Sequence, residues 1–195
     1  MSKPFLTLRM PAPPDPVPVA LVPATTALLV FDVIGHICER QPQIREHMVP
    51  AIASLLARAR QAGVTVAYGT RAANKGTWLP EVAPAPADIQ FENVAQDRFY
   101  NTGLDQALKA RGIATLILTG WKISGSVTYT SVGATLRGYT VVVPVDATLD
   151  ATDYEVVIGK HQILNQNSAN ATNEPLKPRA STLSRTDLIA FKQQA

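Results

Sequence analysis

Cysteine is nearly absent from this sequence, with Cys38 the single example among 195 residues. One thiol cannot form an intrachain disulfide, and this cysteine usage is typical of a reducing cytoplasm, which is the location we predict. Long apolar runs are also lacking, since none approaches the roughly 20 residues of a membrane-spanning helix. The N-terminal residues contain no continuous apolar core of the kind found in signal peptides. We therefore expect no membrane association.

An excess of one charge is missing as well. The 18 basic and 15 acidic side chains leave a net charge of only +3, and the basic residues are scattered. Nucleic-acid-binding proteins concentrate basic residues on one surface, so we expect no nucleic-acid partner. The apolar and charged fractions, 46% and 17%, are ordinary for a globular protein long enough to bury a substantial core.

Several motifs that specify chemistry are absent. The histidines His36, His47 and His161 show neither HxH nor HxxxH spacing, so we predict no metal site. There is no GxGxxG and no GxxxxGK[ST] motif, which argues against a nucleotide-phosphate loop. There is also no GxSxG motif, the nucleophile elbow of the α/β-hydrolases. We expect no cofactor, and a small molecule as substrate or ligand.

Proline is concentrated at the N-terminus rather than spread along the chain. Residues 1–25 contain Pro11, Pro13, Pro14, Pro16, Pro18 and Pro23. Because proline disfavours helix and regular sheet, this segment is predicted to be an extended arm that wraps the domain or a neighbouring subunit. Residues 26–195 are predicted to form a single domain.

Apolar runs alternate with helical patterns along that domain. Strands are predicted at 27–32, 64–68, 88–91, 113–119 and 141–145, and helices at 42–63, 102–111 and 150–164. Residues 181–191 suggest a short strand and then a last helix capped by Ser184. This alternation is typical of an α/β three-layer sandwich, in which helices flank a mainly parallel sheet.

Two polar residues fall where such sheets place ligands and catalytic groups. Asp32 ends the apolar strand 27–32, at the carboxyl edge, where it is suited to act as a general acid or base. The structural alternative is that Asp32 caps the following turn. Ser126 begins the helix after strand 113–119, a position that suits a nucleophile or an anion, and equally an N-cap.

Other side chains are candidates for lining the same cleft. Trp121 is suited to wall a pocket, and Lys122 either supplies a positive charge there or points into water. His36 is close in sequence to Asp32, and Tyr129 offers a binding surface. Cys38 also follows Asp32 closely, although a lone thiol is usually a core residue.

The order and spacing of these segments resemble the isochorismatase-like hydrolases, also called cysteine hydrolases. ALLVFD resembles the family's first strand and catalytic aspartate, and DIQFEN followed by RFYNTGL resembles its lysine segment and F-x-x-T-x-L helix. GWKISGSVTYT resembles the nucleophile block G-x-x-x-x-x-C-V-x-x-T. The resemblance covers residues 26–145 and, we expect, the tail. The positions in register are Phe99, Thr102, Leu104, Gly120, Val127, Thr130, Gly138, Tyr139, Asp146 and Ala147.

The departures from the family pattern concern its catalytic triad. The resemblance implies an Asp–Lys–Cys triad in amidase members, in which Asp activates the thiol and Lys supports the charge. Counting along the motifs places Asn93 at the lysine position and Ser126 at the cysteine position, so only Asp32 remains. The family resemblance also implies a homo-oligomer, either a dimer or a tetramer.

Three functions are compatible with this pattern. The first is a hydrolase without a cysteine nucleophile, in which Asp32 protonates a vinyl ether or activates water against an amide or ester. Ser126 and Asn93 would then hold substrate or water, with Lys122 replacing the lost cation. The second is a pseudoenzyme that binds a small ligand or a protein partner, with Trp121 and Tyr129 on its binding surface. The third is a serine amidase with Ser126 as nucleophile and Asp32 as base.

Overall fold

The structure is a computed structural model that describes residues 12–72 and 76–192. Its central sheet has the strand order β4-β3-β2-β5-β6-β8, with β7 paired to the end of β5, and every pairing is parallel. The strands of this sheet are β2 (Thr26–Phe31), β3 (Thr65–Arg71), β4 (Ile89–Asn93), β5 (Thr115–Trp121), β6 (Thr140–Pro144), β7 (Thr148–Leu149) and β8 (Ser181–Ser184). Two further strands, β1 (Val19–Leu21) and β9 (Ile189–Phe191), form a separate parallel pair.

Helices cover both faces of the sheet. They are α1 (Gly35–Arg40), α2 (Val49–Gln61), α3 (Leu104–Lys109), α4 (Thr128–Leu136) and α5 (Asp153–Asn165). Wide helical turns at Ile44–Met48 and Ile123–Val127 lead into α2 and α4. Within the two described ranges, no helix combines the length and apolar character needed to cross a membrane.

Alternate residues of each central strand enter different apolar clusters, because successive side chains of a strand point to opposite faces. Leu28 and Val30 pack with residues of α1 and α2 on one face. Leu29 and Phe31 pack with residues of α3, α4 and α5 on the other. All six residues of β2 are buried, which explains its continuous apolar sequence. The three-layer α/β architecture predicted from the sequence is thereby confirmed.

The described part of the proline-rich segment, residues 12–25, lies against the C-terminal part of the same chain; residues 1–11 are outside the described ranges. The Val17 N–H donates to the Leu183 carbonyl at 3.0 Å, and the Asn173 side-chain amide donates to the Asp15 carbonyl at 2.9 Å. Strand β1 then pairs with β9. The described part of the arm therefore packs along residues 173–191.

The prediction of a last helix, capped by Ser184, within residues 181–191 is wrong. Residues Thr186–Leu188 form one 3-10 turn, which is followed by β9. The Ser184 hydroxyl does not cap a helix but donates to the Val17 carbonyl at 2.8 Å. Asp146 holds the turn by accepting the Thr186 N–H at 2.9 Å. The sequence patterns also missed α1, β1, β7 and β9, which are all short.

The ends of β2 and β5 approach each other closely at the carboxyl edge. Gly120 pairs with Phe31 in the register of these strands and has a φ of +106°. A Cβ atom at Gly120 would lie 2.1 Å from the Phe31 carbonyl oxygen, so only glycine fits. This contact brings the turn after β5 next to Asp32, the residue that follows Phe31.

Candidate active site

Asp32 lies at the carboxyl end of β2, as predicted, and its carboxylate is buried. One oxygen, Oδ1, accepts hydrogen bonds from the Thr70 hydroxyl at 2.8 Å and from the Arg71 backbone N–H at 3.3 Å. Both donors belong to β3, the neighbouring strand. The backbone of Asp32 has a φ of +52°, a region that aspartate tolerates better than most residues.

Ser126 lies in the turn Ile123–Val127 that leads into α4. Its side chain is buried, and its Oγ lies 3.5 Å from the Asp32 Oδ2 atom. No side-chain cap is present at the start of α4. The Ser126 hydroxyl therefore faces the Asp32 carboxylate instead of serving as the N-cap that the sequence also allowed.

Arg98 is the central residue of this site, and the sequence analysis missed it. Its side chain is 0% exposed. Nη2 donates to both the Asp32 Oδ2 atom, with which it forms an ion pair, and the Ser126 Oγ at 2.8 Å. Nη1 donates to the Asn93 Oδ1 at 2.7 Å. One guanidinium thus contacts Asp32, Asn93 and Ser126, the three residues that the sequence predicted for the site.

Asn93 ends β4 and holds this guanidinium in place. Its Nδ2 donates to the Asp97 carbonyl at 2.7 Å, which leaves Oδ1 to accept from Arg98. The Arg98 N–H donates to the Thr130 hydroxyl of α4 at 3.1 Å. The loop between β4 and α3 is therefore folded back so that its arginine points into the centre.

Arg98 carries its charge in a fully buried position, and its pKa is lowered overall. Burial lowers the pKa of the guanidinium, and the nearby Arg71 acts in the same direction, while the ion pair with Asp32 opposes both. Arginine stays protonated in proteins despite such a shift. The site therefore contains a permanent cation, which motif spacing could not reveal because Arg98 lies outside the lysine position. The one available signal was the need of a buried Asp32 for a counter-charge.

Lys122, which the sequence predicted either to supply a positive charge to the site or to point into water, pairs with two carboxylates. Its Nζ pairs with the Asp150 Oδ1 at 3.1 Å and the Glu155 Oε1 at 3.0 Å. Burial alone lowers the pKa of Lys122, but the hydrogen bonds to Glu155 and Asp150 outweigh it and raise the pKa overall. Asp150 also accepts the Ser124 N–H at 2.9 Å. Lys122 thus stabilises the turn that presents Ser126.

The remaining predicted residues lie outside the Asp32–Arg98–Ser126 cluster. Trp121 is half-buried against the α1–α2 side of the core, and its peptide bond to Lys122 is cis. Tyr129 is 55% exposed on α4. His36 lies against Gly76. In the ranges that the structure describes, none of these side chains hydrogen-bonds to the cluster.

Cys38 is a core residue. Its side chain is buried in the α1–α2 cluster, and this burial raises the pKa of its thiol. Among the described residues, no three His, Cys, Asp or Glu side chains are grouped so as to hold a metal ion.

The fold and the site define a three-layer α/β protein with a charged centre at the carboxyl edge of a parallel sheet. Residues 26–174 match the family described as the isochorismatase domain. The chain belongs to this family of hydrolases.

Individual relatives agree with this assignment. The ureidoacrylate amidohydrolase RutB of Methylobacterium radiotolerans is 29% identical in an alignment 187 positions long, and the match covers 71% of this chain and 72% of that protein. An isochorismatase family protein from Burkholderia thailandensis has a TM-score of 0.71 at 19% identity, covering 89% of this chain and 96% of its own. The N-carbamoylsarcosine amidase of Thermoplasma acidophilum has a TM-score of 0.69 at 21% identity, covering 84% and 97%. The two structures show the shared fold.

Proposed function

We propose that this protein is a small-molecule hydrolase that cleaves an amide or ureido bond with Asp32 as general base and without a cysteine nucleophile. The observation that carries the proposal is the Arg98 guanidinium, which contacts Asp32, Asn93 and Ser126 at once. A cation is therefore present in the site even though the family lysine is missing. The similarity to an amidohydrolase supports the choice of bond.

Asp32 is better suited to the role of base than to that of acid. Every hydrogen bond that the structure shows at the Asp32 oxygens comes from a donor, namely Thr70, the Arg71 N–H, Arg98 and Ser126, whereas protonation of a vinyl ether requires a carboxyl group that itself donates a proton. Of the two roles that the sequence left open, the geometry thus favours the general base.

Ser126 is the nucleophile in this proposal. Asp32 takes the hydroxyl proton as Oγ bonds to the carbonyl carbon of the substrate, and Arg98 balances the negative charge that develops. The proton then passes to the leaving nitrogen as the C–N bond breaks, and water hydrolyses the resulting ester to restore Ser126. A hydroxyl is a weaker nucleophile than a thiolate at neutral pH, so turnover should be slow. Asn93 acts as a positioning residue through Arg98.

A panel of 3-ureidopropionate, nicotinamide and isochorismate tests this function. We expect turnover in the wild type to fall by about 10² or more in Asp32→Asn and in Ser126→Ala. Ser126→Cys should turn over faster than the wild type. The matched controls Asp153→Asn and Ser54→Ala change exposed side chains and should keep wild-type rates. If Ser126→Ala retained turnover, the nucleophile would be a water molecule and not the serine hydroxyl.

A second candidate function is that of a pseudoenzyme that binds a small ligand or a protein partner. It is favoured because the polar groups of the site are buried and hydrogen-bonded to one another. Asp32 accepts hydrogen bonds from Thr70, the Arg71 backbone, Arg98 and Ser126, so each of its two carboxylate oxygens already accepts two. The side chains at the centre belong to residues no more than 5% exposed. Absence of turnover in every variant, with ligand binding retained, would establish this alternative. The cytoplasmic location and the homo-oligomeric state stay predictions.

A further inference from the structure

A second arginine, Arg71, lies beside the site without a role in the proposed chemistry. It is the last residue of β3 and pairs directly with Asn93 of β4. Paired residues of neighbouring strands project to the same face, so the Arg71 and Asn93 side chains leave the sheet together. Asn93 in turn contacts Arg98. Arg71 therefore lies on the side of the sheet where Arg98 fills the centre.

The two guanidinium groups have more donors than the surrounding residues accept. The Nε atoms of Arg71 and Arg98 are both buried and have no hydrogen-bond partner among the described residues. A buried donor without an acceptor costs about 1–3 kcal/mol, so such a group favours the binding of an acceptor from outside the chain, such as a water, an ion or a ligand. Two adjacent arginines with this property indicate a missing acceptor.

The charges at this place are also unbalanced. Arg71 is close enough to Arg98 to lower the pKa of its guanidinium. Among the described residues, Asp32 is the one carboxylate in an ion pair with Arg98; Asp97 also acts on the charge of Arg98, but it lies 3.9 Å from Arg137 and accepts the Phe99 N–H. Counting Arg137 with Asp97, three cations and two anions leave a single positive charge, which a monoanion would neutralise.

We propose that Arg71, together with Arg98, binds the carboxylate of a small monoanionic ligand. The planar guanidinium fork of Arg71 matches a carboxylate in shape, while Arg98 offers its Nε, and the single excess charge fits a monoanion better than a doubly charged phosphate. The inference rests on the proposed function for the position of the site, since the carboxylate would hold the ligand with its scissile group toward Asp32 and Ser126. It does not depend on turnover.

Calorimetric binding of two matched probe pairs tests the inference. The pairs are 3-ureidopropionate with its neutral amide, and nicotinate with nicotinamide. We expect the wild type to bind at least one carboxylate about tenfold or more tightly than its neutral partner, as a charge-assisted hydrogen bond would give. Arg71→Gln should remove this preference without weakening the neutral probe, and Arg71→Lys should keep part of it. The control Arg40→Gln changes an exposed arginine and should leave the preference intact.

The outcomes separate the inference from the proposed function. A carboxylate preference that disappears in Arg71→Gln, with no hydrolysis of any probe, would support the anion site and contradict the hydrolase. Hydrolysis that requires Asp32 and Ser126, with a preference unchanged in Arg71→Gln, would overturn the anion site alone. Equal binding, or no binding, of both members of each pair by the wild type would also overturn it. Circular dichroism of Arg71→Gln and Arg71→Lys shows whether both variants are folded.

Discussion

The ion pair between Arg98 and Asp32 is buried. For such a pair, replacing both partners and removing only one of them have different effects on stability. Forming the pair requires that both groups lose water, so replacing both by neutral side chains is often nearly neutral. Removing one partner alone leaves a buried charge without compensation, which costs about 3–5 kcal/mol. Arg98 is fully buried and also bonds to Asn93 and Ser126, so its loss affects three contacts at once.

Arg98→Met should therefore lower the free energy of unfolding by about 3–5 kcal/mol, because Asp32 then stays buried as an unpaired anion. The double variant Asp32→Asn/Arg98→Met should recover much of this loss, since asparagine is neutral and tolerates the positive φ at position 32. Urea denaturation measures both. Equal stability of Arg98→Met and the wild type would show that the ion pair contributes nothing.

At the scale of elements, two contacts position the turn that carries Ser126. One is the close approach of β5 to β2 at Gly120. The other is Asp150, which accepts the Ser124 N–H and pairs with Lys122. The first joins the turn to the sheet, and the second joins it to the segment before α5. Each can be weakened separately.

Gly120→Ala should destabilise the protein by about 3 kcal/mol or more, because the new Cβ would meet the Phe31 carbonyl at 2.1 Å and the φ of +106° is unfavourable for alanine. Thermal and urea unfolding provide the measurement. Gly103→Ala is the matched control, since no heavy atom lies within 4 Å of its added Cβ. Similar losses in both variants would contradict the close approach at Gly120.

Asp150 should contribute stability that depends on pH. Burial raises its pKa, but hydrogen bonds from Ser124 and Ala151 and the contact with Lys122 lower it overall, below the ordinary value of 3.8. A lowered folded-state pKa stabilises the protein above the unfolded value, and this contribution disappears as the pH falls through the folded value.

Asp150→Asn should therefore be less stable than the wild type by about 1–3 kcal/mol at pH 7, with the difference shrinking as the pH falls below about 3.8. Urea unfolding from pH 3 to pH 7 measures this difference. The exposed Asp153→Asn serves as control. A difference that grows toward low pH would have the wrong sign for this account.

At the scale of the whole molecule, β1 of the proline-rich arm pairs with β9, which lies about 170 residues further along the chain. Val19 and Leu21 are buried, and their strand pairs with Ile189–Phe191. Arg58 of α2 also donates to the Ile189 carbonyl at 2.7 Å, which fastens the C-terminal strand to the helix layer. Folding of the domain thus includes part of the proline-rich arm.

Leu21→Ala should cost about 2–5 kcal/mol of stability, because it removes a buried side chain from this junction. Val22→Ala is the neighbouring control, since Val22 is 37% exposed and its truncation should change little. Urea unfolding of the two variants is the measurement. If both variants were as stable as the wild type, the arm would not be part of the folded core.

The sequence alone determined the layered architecture, the family and the positions of Asp32 and Ser126. These follow from local signals: continuous apolar runs such as 27–32 form buried parallel strands, and motif spacing counts positions along one chain. Short elements such as β9 were not predicted because a few residues are too short a stretch to show hydrophobic periodicity. The prediction of a last helix was wrong because the Ser184 hydroxyl does not cap a helix. It donates instead to the carbonyl of Val17, a residue distant in sequence.

Only the tertiary structure decided which cation serves the site. Lys122 lies nearer to Ser126 along the chain, yet Asp150 and Glu155 hold it. Arg98 reaches Asp32 because β4 ends beside β3 and Asn93 ties the following loop back toward the sheet. The physical reason is that a buried carboxylate is neutralised by whichever charged group the packing brings within a few ångströms, and that distance is not encoded in sequence separation.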